Sequence, residues 1–207
     1  MSQKEQRDKG MDKFLFACRL TLIGILISFM GWCFEKAGRL IIYNARGDRG
    51  LLFLPVCPIY GACIILSFVL FGTPKNIGGL IGEPLKRNSL GKRLISTPVH
   101  RFFIYFILTT LASTIAELLT GLAYRAIGIT LWDYSERAFN LFGIVCLGYS
   151  LLWGFLVTLF FATLWETLYR LALRIPPSTC KILAVILASI ISADFVTATI
   201  IGAYKAL

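Results

Sequence analysis

The chain has 207 residues, of which 57% are hydrophobic and 15% charged, with a net charge of +10 at pH 7. That composition is far too apolar for an ordinary soluble domain. The positive charge does not predict nucleic-acid binding, because the basic residues lie at the ends of apolar segments, where lipid headgroups account for them. No basic patch is interleaved with aromatic residues as a stacking surface requires. We therefore predict an integral membrane protein that contacts lipid and no nucleic acid.

Five segments of the chain are apolar enough to cross a bilayer, which takes roughly 20 residues in a helix. They cover approximately residues 14–34, 51–71, 102–124, 142–164 and 180–202. None shows the alternation of a barrel strand. We predict an all-α, polytopic bundle of about five transmembrane helices, forming a single integral membrane domain over residues 1–207. The charged N-terminus leads into the first segment without a small-residue cleavage site, so we expect an uncleaved first helix.

The distribution of lysine and arginine predicts the orientation in the membrane. With the N-terminus in the cytoplasm, 14 of the 21 basic residues lie inside and 7 outside, which favours this orientation with the C-terminus outside. The longest connection, residues 72–101, is then a basic cytoplasmic loop whose glycines and prolines oppose a long helix. Two interpretations are open for it: a surface attracted to anionic lipid, or a docking surface for a cytoplasmic partner.

Two parts of the chain have the pattern of the same helix-loop-helix hairpin. Each has an apolar helix with a glutamate, a polar loop, a cysteine, and a tyrosine three residues after that cysteine. Carboxylates in apolar helices are costly to keep in lipid and usually face something functional. We therefore predict a polar site in the outer half of the membrane for a substrate or an ion. Its candidate residues are Glu35, Cys57, Tyr60, Glu117, Asp133, Asn140, Cys146, Tyr149 and Asp194.

Structural roles compete with this interpretation at several of these positions. The acids could pair with an arginine, a tyrosine hydroxyl or a helix terminus and only fix the packing. Pro58 predicts the start of a helix, which places Cys57 where the helix dipole favours a thiolate; simple packing is the alternative. A Cys57–Cys146 disulfide is open, because sequence does not give the distance between them. Asn140 is expected to cap the helix that follows it.

Catalytic and cofactor motifs are absent from the sequence. There is no P-loop, HExxH, GxSxG or CxxC pattern, and only one histidine. These patterns mark nucleotide hydrolysis, metal hydrolysis, acyl transfer and redox or zinc chemistry. We predict no catalytic residue, no metal site and no cofactor, and the absence of these motifs is an argument against an enzyme.

A set of short motifs resembles one known family. The motifs are Gly31-Trp32 with Glu35, Arg49-Gly50, Cys57-Pro58-Ile59-Tyr60-Gly61, Glu117-Leu118-Leu119-Thr120-Gly121, Trp132-Asp133-Tyr134-Ser135, Asn140 with Gly143, Cys146, and Leu152-Trp153-Gly154. From about Gly31 to Trp165 the chain resembles the small bacterial membrane proteins of the ABC-transporter type IV permease family (CmpB type). It departs from the family pattern at Asp48 and Leu54, where asparagine and glycine are usual, and in an expanded 72–101 connection.

The resemblance implies a multi-pass permease of the bacterial cytoplasmic membrane. Such a permease needs a separate ATP-hydrolysing subunit, and five helices are few for a complete path, so a homo- or hetero-oligomer is expected. Three functions stay open at this point. They are a membrane component of a transporter, a membrane-embedded enzyme acting on lipid or thiol substrates, and a non-catalytic scaffold or sensor.

Overall fold

A computed structural model describes residues 3–43 and 52–206, and this part of the chain is almost entirely α-helical. The helices are α1 (Gln3–Tyr43), α2 (Pro58–Phe71), α3 (Gly79–Arg87), α4 (Ser89–Leu94), α5 (Pro98–Ala126), α6 (Leu147–Thr163), α7 (Trp165–Arg174) and α8 (Pro177–Ala206). Two short strands, β1 (Asn140–Leu141) and β2 (Val145–Cys146), pair antiparallel just before α6. The all-α prediction is confirmed.

Three helices are long and apolar enough to cross a membrane. They are Lys13–Gly38 within α1, Pro98–Ala126 and Pro177–Lys205, and a fourth span forms if α6 and α7, which are bent by 53° at Leu164, count as one. The remaining apolar helix, α2, has 14 residues and is about 21 Å long, shorter than the roughly 30 Å hydrocarbon core. The described residues thus contain three to four membrane-length helices and the shorter apolar helix α2.

Two of the predicted spans begin later as helices than the sequence suggested. Within the described residues 52–71, the helix begins only at Pro58, as the proline itself predicted, because the residue before a proline disfavours helical backbone. The segment 142–164 is helical only from Leu147, because a tight turn at Gly143 and the β1–β2 pair precede it. The orientation in the membrane stays a prediction.

The chain divides into two compact units, and each is described by itself. The first comprises Met1–Ile65 and Thr167–Ile201. A small core in it contains Cys18, Cys180 and Ala184. In this unit α1 and α2 approach so closely that a methyl group on Gly61 would collide with the carbonyl oxygen of Gly24. Small residues allow helix backbones to approach in this way in membranes.

The second unit comprises Leu66–Glu166 and Gly202–Leu207. Its centre is the packing of α5 on α6, where a methyl group on Gly154 would collide with Thr110. Next to this contact the hydroxyls of Thr109 and Thr158, both fully buried, lie 3.0 Å apart. Such side-chain hydrogen bonds across helices stabilise membrane bundles modestly, by about 0.6 kcal/mol on average. The single integral membrane domain over residues 1–207 stays a prediction.

The connection between α2 and α5 contains the two short helices α3 and α4. Asn88 caps α4, its side chain accepting a hydrogen bond from the Leu90 amide at 3.2 Å. The Tyr105 hydroxyl of α5 donates to the carbonyl of Gly72 at 2.9 Å and holds the start of the connection. Glycines and prolines thus limit this segment to short helices, in keeping with the prediction that it forms no long one.

Candidate functional site

In the first unit, a carboxylate on α1 contacts a tyrosine on α2. The Tyr60 hydroxyl donates a hydrogen bond to Oε1 of Glu35 at 2.9 Å. Gly31 lies one helical turn before Glu35, and a methyl group there would lie 2.5 Å from the Tyr60 ring. The missing side chain at Gly31 therefore lets the ring lie against α1 with its hydroxyl at Glu35.

Cys57 occupies the position directly before α2. Its backbone amide donates to the carbonyl of Ser28 on α1 at 2.9 Å, and its side chain is partly buried. The amide of Tyr60 donates to the Cys57 carbonyl at 3.1 Å and begins the helix. Cys57 therefore lies at the helix N-terminus, as the sequence predicted, and the reactive thiol stays a hypothesis. No cysteine among the described residues forms a disulfide.

Asp194 on α8 contacts the irregular segment before α2. Its Oδ1 accepts from the Phe53 amide at 3.3 Å and its Oδ2 from the Leu54 amide at 3.0 Å. Both carboxylate oxygens are thus used on backbone amides that no regular element satisfies. This contact favours a positioning role for Asp194 over direct contact with a ligand.

In the second unit, Glu117 is a buried carboxyl on the long apolar helix α5. Its residue is only 7% exposed, and its Oε1 accepts a hydrogen bond from the Tyr134 hydroxyl at 3.1 Å. Its Oε2 is buried and has no hydrogen-bond partner among the described residues. A buried polar atom without a partner costs free energy. Oε2 is therefore a position where a bound cation or a hydrogen-bond donor would be stabilised.

Tyr134 connects Glu117 to the first turn of α6. Its ring stacks on that of Tyr149, with centroids 4.8 Å apart and planes inclined by 20°. Burial raises the pKa of Tyr134 well above its usual range, and the neighbouring charge of Glu117 adds to this. Tyr134 thus stays a neutral hydroxyl that can donate its proton in a hydrogen bond at physiological pH.

The loop that carries Tyr134 is held by a second carboxylate. Oδ1 of the exposed Asp133 accepts hydrogen bonds from the amide of Ser135 at 2.9 Å and from its hydroxyl, and lies 3.9 Å from the Arg125 guanidinium. The bonds from Ser135, with a smaller contribution from Arg125, hold the pKa of Asp133 below its usual range. Arg125 also donates to the carbonyl of Phe142 at 2.5 Å. Asp133 and Arg125 therefore fix the shape of the loop beneath which Glu117 lies.

Asn140 holds the same loop and does not cap the following helix, so that expectation is wrong. Its Oδ1 accepts from the Gly143 amide at 3.1 Å, and its Nδ2 donates to the carbonyls of Arg137 at 2.8 Å and Ser135 at 3.0 Å. Gly143 has a φ of 63°, which glycine adopts without strain. Residue Cys146 occupies the cap position of α6 instead, with no side-chain capping bond.

The predicted site residues fall into two groups of neighbours. Glu35, Tyr60, Cys57 and Asp194 belong to the first unit, and Glu117, Asp133, Asn140, Cys146 and Tyr149 to the second. Cys146 is buried and pairs with Asn140 in the β1–β2 ladder. In the part of the chain that the structure describes, no group of three or more histidine, cysteine or acidic residues could hold a metal ion.

Sequence reasoning missed two residues of the second group, Tyr134 and Arg125. Tyr134 lies within the Trp132-Asp133-Tyr134-Ser135 motif. A tyrosine in the polar loop that follows a glutamate-bearing apolar helix was the signal that could have identified it. Each hairpin contains a glutamate that accepts a hydrogen bond from a tyrosine, but the two tyrosines are not equivalent. In the second hairpin the counterpart of Tyr60 is Tyr149, and it stacks on the tyrosine that contacts the glutamate.

Comparison with known proteins gives one match. A family model described as "Putative ABC-transporter type IV" (ABC_trans_CmpB) matches residues 22–199, most of the chain. No curated protein matches the chain, and no solved structure does.

Proposed function

The chain belongs to this ABC-transporter type IV family, and we propose that it is the membrane permease component of a transporter in the bacterial cytoplasmic membrane. The family and the membrane-length helices support a membrane protein that takes part in transport. A permease of this kind takes its energy from a separate ATP-hydrolysing subunit, since this chain has no P-loop.

The observation that carries the proposal is the carboxyl group of Glu117. A carboxyl in the middle of an apolar helix is costly, and one of its oxygens is buried without a partner among the described residues. A purely structural acid would be expected to have both oxygens satisfied, as Asp194 has. We infer that Glu117, with Tyr134 as donor, contacts a cation or the polar group of a substrate during transport, and that Glu35 with Tyr60 forms a second such contact.

A scaffold is the second candidate, and the contacts of Asp194 favour it. If every acid of the chain acts as Asp194 does, the polar residues only fix helix packing. The two functions differ in what the neutral variant Glu117→Gln does. A scaffold loses assembly or thermal stability, whereas a permease keeps assembly and loses transport.

The first experiment is purification of the tagged, full-length protein from its native host in mild detergent, followed by mass spectrometry. We expect a stoichiometric ATP-hydrolysing subunit to accompany it. With that complex in proteoliposomes, Glu117→Gln is expected to reduce substrate-stimulated ATP hydrolysis about tenfold or more, as loss of one charge-assisted contact of 1.4 kcal/mol or more would do.

The matched control is Glu136→Gln, which neutralises an exposed glutamate in the loop that follows Glu117. It is expected to leave ATP hydrolysis unchanged. A homo-oligomer that purifies without any ATP-hydrolysing subunit would count against the permease. So would a complex in which Glu117→Gln and the control behave alike.

A further inference from the structure

The connection between α2 and α5 carries a strong and unbalanced positive charge. Residues 72–101 include six lysines and arginines and one acid, Glu83. Glu83 pairs with Lys86 at 3.0 Å. Three further cations, Arg87, Lys92 and Arg93, are exposed and have no ion pair within the described residues. Their charge is therefore available to a ligand.

The same connection exposes large apolar side chains. Leu90 is 63% exposed and Leu94 is 46% exposed, and the two lie four residues apart on one face of α4. On the first turns of α5, Val99 and Phe103 are 62% and 59% exposed. Free cations beside exposed leucine and phenylalanine are typical of a segment that lies in a membrane interface.

A groove joins these apolar and basic groups between α4 and the start of α5. It has a volume of about 400 Å³ and is lined by Leu90, Arg93, Leu94, His100, Phe103 and Ile104. Four of these side chains are apolar and two can donate hydrogen bonds to an anion. The groove thus has the mixed lining that a ligand with an apolar part and an anionic group requires.

The helix α5 is long enough to bring this groove to the level of the lipid headgroups. The helix has 29 residues and is about 43 Å long, whereas the hydrocarbon core is roughly 30 Å thick. A spanning α5 therefore extends beyond the core into the headgroup region. His100 and Phe103 lie in its first two turns, where apolar and anionic lipid groups meet.

We propose that α3, α4 and the first two turns of α5 form a binding surface for anionic phospholipid of the same bilayer. Arg87, Lys92 and Arg93 contact the negatively charged headgroups. The acyl chain packs on the apolar lining of the groove, with Leu90, Leu94 and Phe103. An acidic protein would satisfy the cations alone, but the exposed apolar side chains at headgroup depth favour lipid.

Hydrogen–deuterium exchange of the full-length protein tests this surface. The protein is placed in nanodiscs of phosphatidylcholine alone, or of phosphatidylcholine with phosphatidylglycerol, and exchange is followed over α3 and α4. Each cation near an anionic surface strengthens association about fivefold at low salt. We expect the amides of α4 to exchange about fivefold or more slowly with phosphatidylglycerol present, and the difference to shrink in high salt.

Two charge variants sharpen the result. Lys92→Gln with Arg93→Gln removes two of the three cations from the surface and is expected to remove most of the effect of phosphatidylglycerol. Arg137→Gln with Lys205→Gln removes the same charge elsewhere on the exposed surface and is expected to preserve it. Unchanged exchange across α5 shows that each variant is folded. Equal exchange of α4 in the two kinds of nanodisc, or protection that requires an added protein, overturns the proposal.

Discussion

At the scale of single residues, the partly buried hydrogen bond between Tyr134 and Glu117 contributes to the stability of the second unit. Among the described residues, Tyr134 supplies the hydrogen bond to Oε1 of Glu117 and Oε2 has no partner, so Tyr134→Phe leaves both carboxyl oxygens unsatisfied there. Loss of a buried partner costs about 1–3 kcal/mol. We expect a lower melting temperature in detergent, measured by tryptophan fluorescence.

The control for that variant is Tyr204→Phe, which removes a hydroxyl from a residue that is 80% exposed. Its melting temperature is expected to equal that of the wild type. If the melting temperature of Tyr134→Phe also equals that of the wild type, the Tyr134–Glu117 hydrogen bond does not contribute to stability.

The lowered pKa of Asp133, also a single residue of the second unit, predicts that the stability of the folded protein depends on pH. Its pKa in the folded protein lies below the ordinary value because of the bonds from Ser135. Its contribution is therefore full above the ordinary aspartate pKa and is lost as the pH falls through the lowered value. We expect the melting temperature of Asp133→Asn to fall less than that of the wild type between about pH 6 and pH 3, near the reference pKa of 3.9. Glu136→Gln, at a nearby exposed acid, should follow the wild type, and identical curves for Asp133→Asn would contradict the role of Asp133.

At the scale of elements, close helix contacts decide which side chains meet. Gly154 lets α6 approach α5 at Thr110, and the Thr109–Thr158 hydrogen bond forms beside this contact. Gly154→Leu therefore overpacks the interface, at a cost of about 1–3 kcal/mol. We expect a clear loss of thermal stability in detergent. Gly148→Leu is the matched control on the same helix, because Gly148 is exposed and a Cβ atom there meets no neighbour within 4 Å. Similar melting of the two variants would show that the α5–α6 contact does not limit stability.

For the whole molecule, the number of crossings decides where the C-terminus lies. Five crossings place the two termini on opposite sides, whereas four place them on the same side. The difference depends on α2, which is too short to span the core as a straight helix by itself. We expect a C-terminal alkaline phosphatase fusion to be active outside the cell and a C-terminal green fluorescent protein fusion to be dark. If an N-terminal green fluorescent protein fusion is also fluorescent, a fluorescent C-terminal fusion would mean an even number of crossings, as when α2 and the residues before it do not complete one.

The sequence by itself determined the membrane environment, the all-α fold class, the start of α2 at Pro58 and the family. These follow from hydropathy and from backbone preferences, which act over a few neighbouring residues. Only the tertiary structure decided that Tyr134 contacts Glu117, that Asp194 holds the amides of Phe53 and Leu54, and that Asn140 closes a loop while α6 begins at Leu147. The physical reason is that a carboxylate takes its partner from whichever helix or loop packs against it. That packing depends on close contacts such as Gly31 with Tyr60, between residues far apart in the chain.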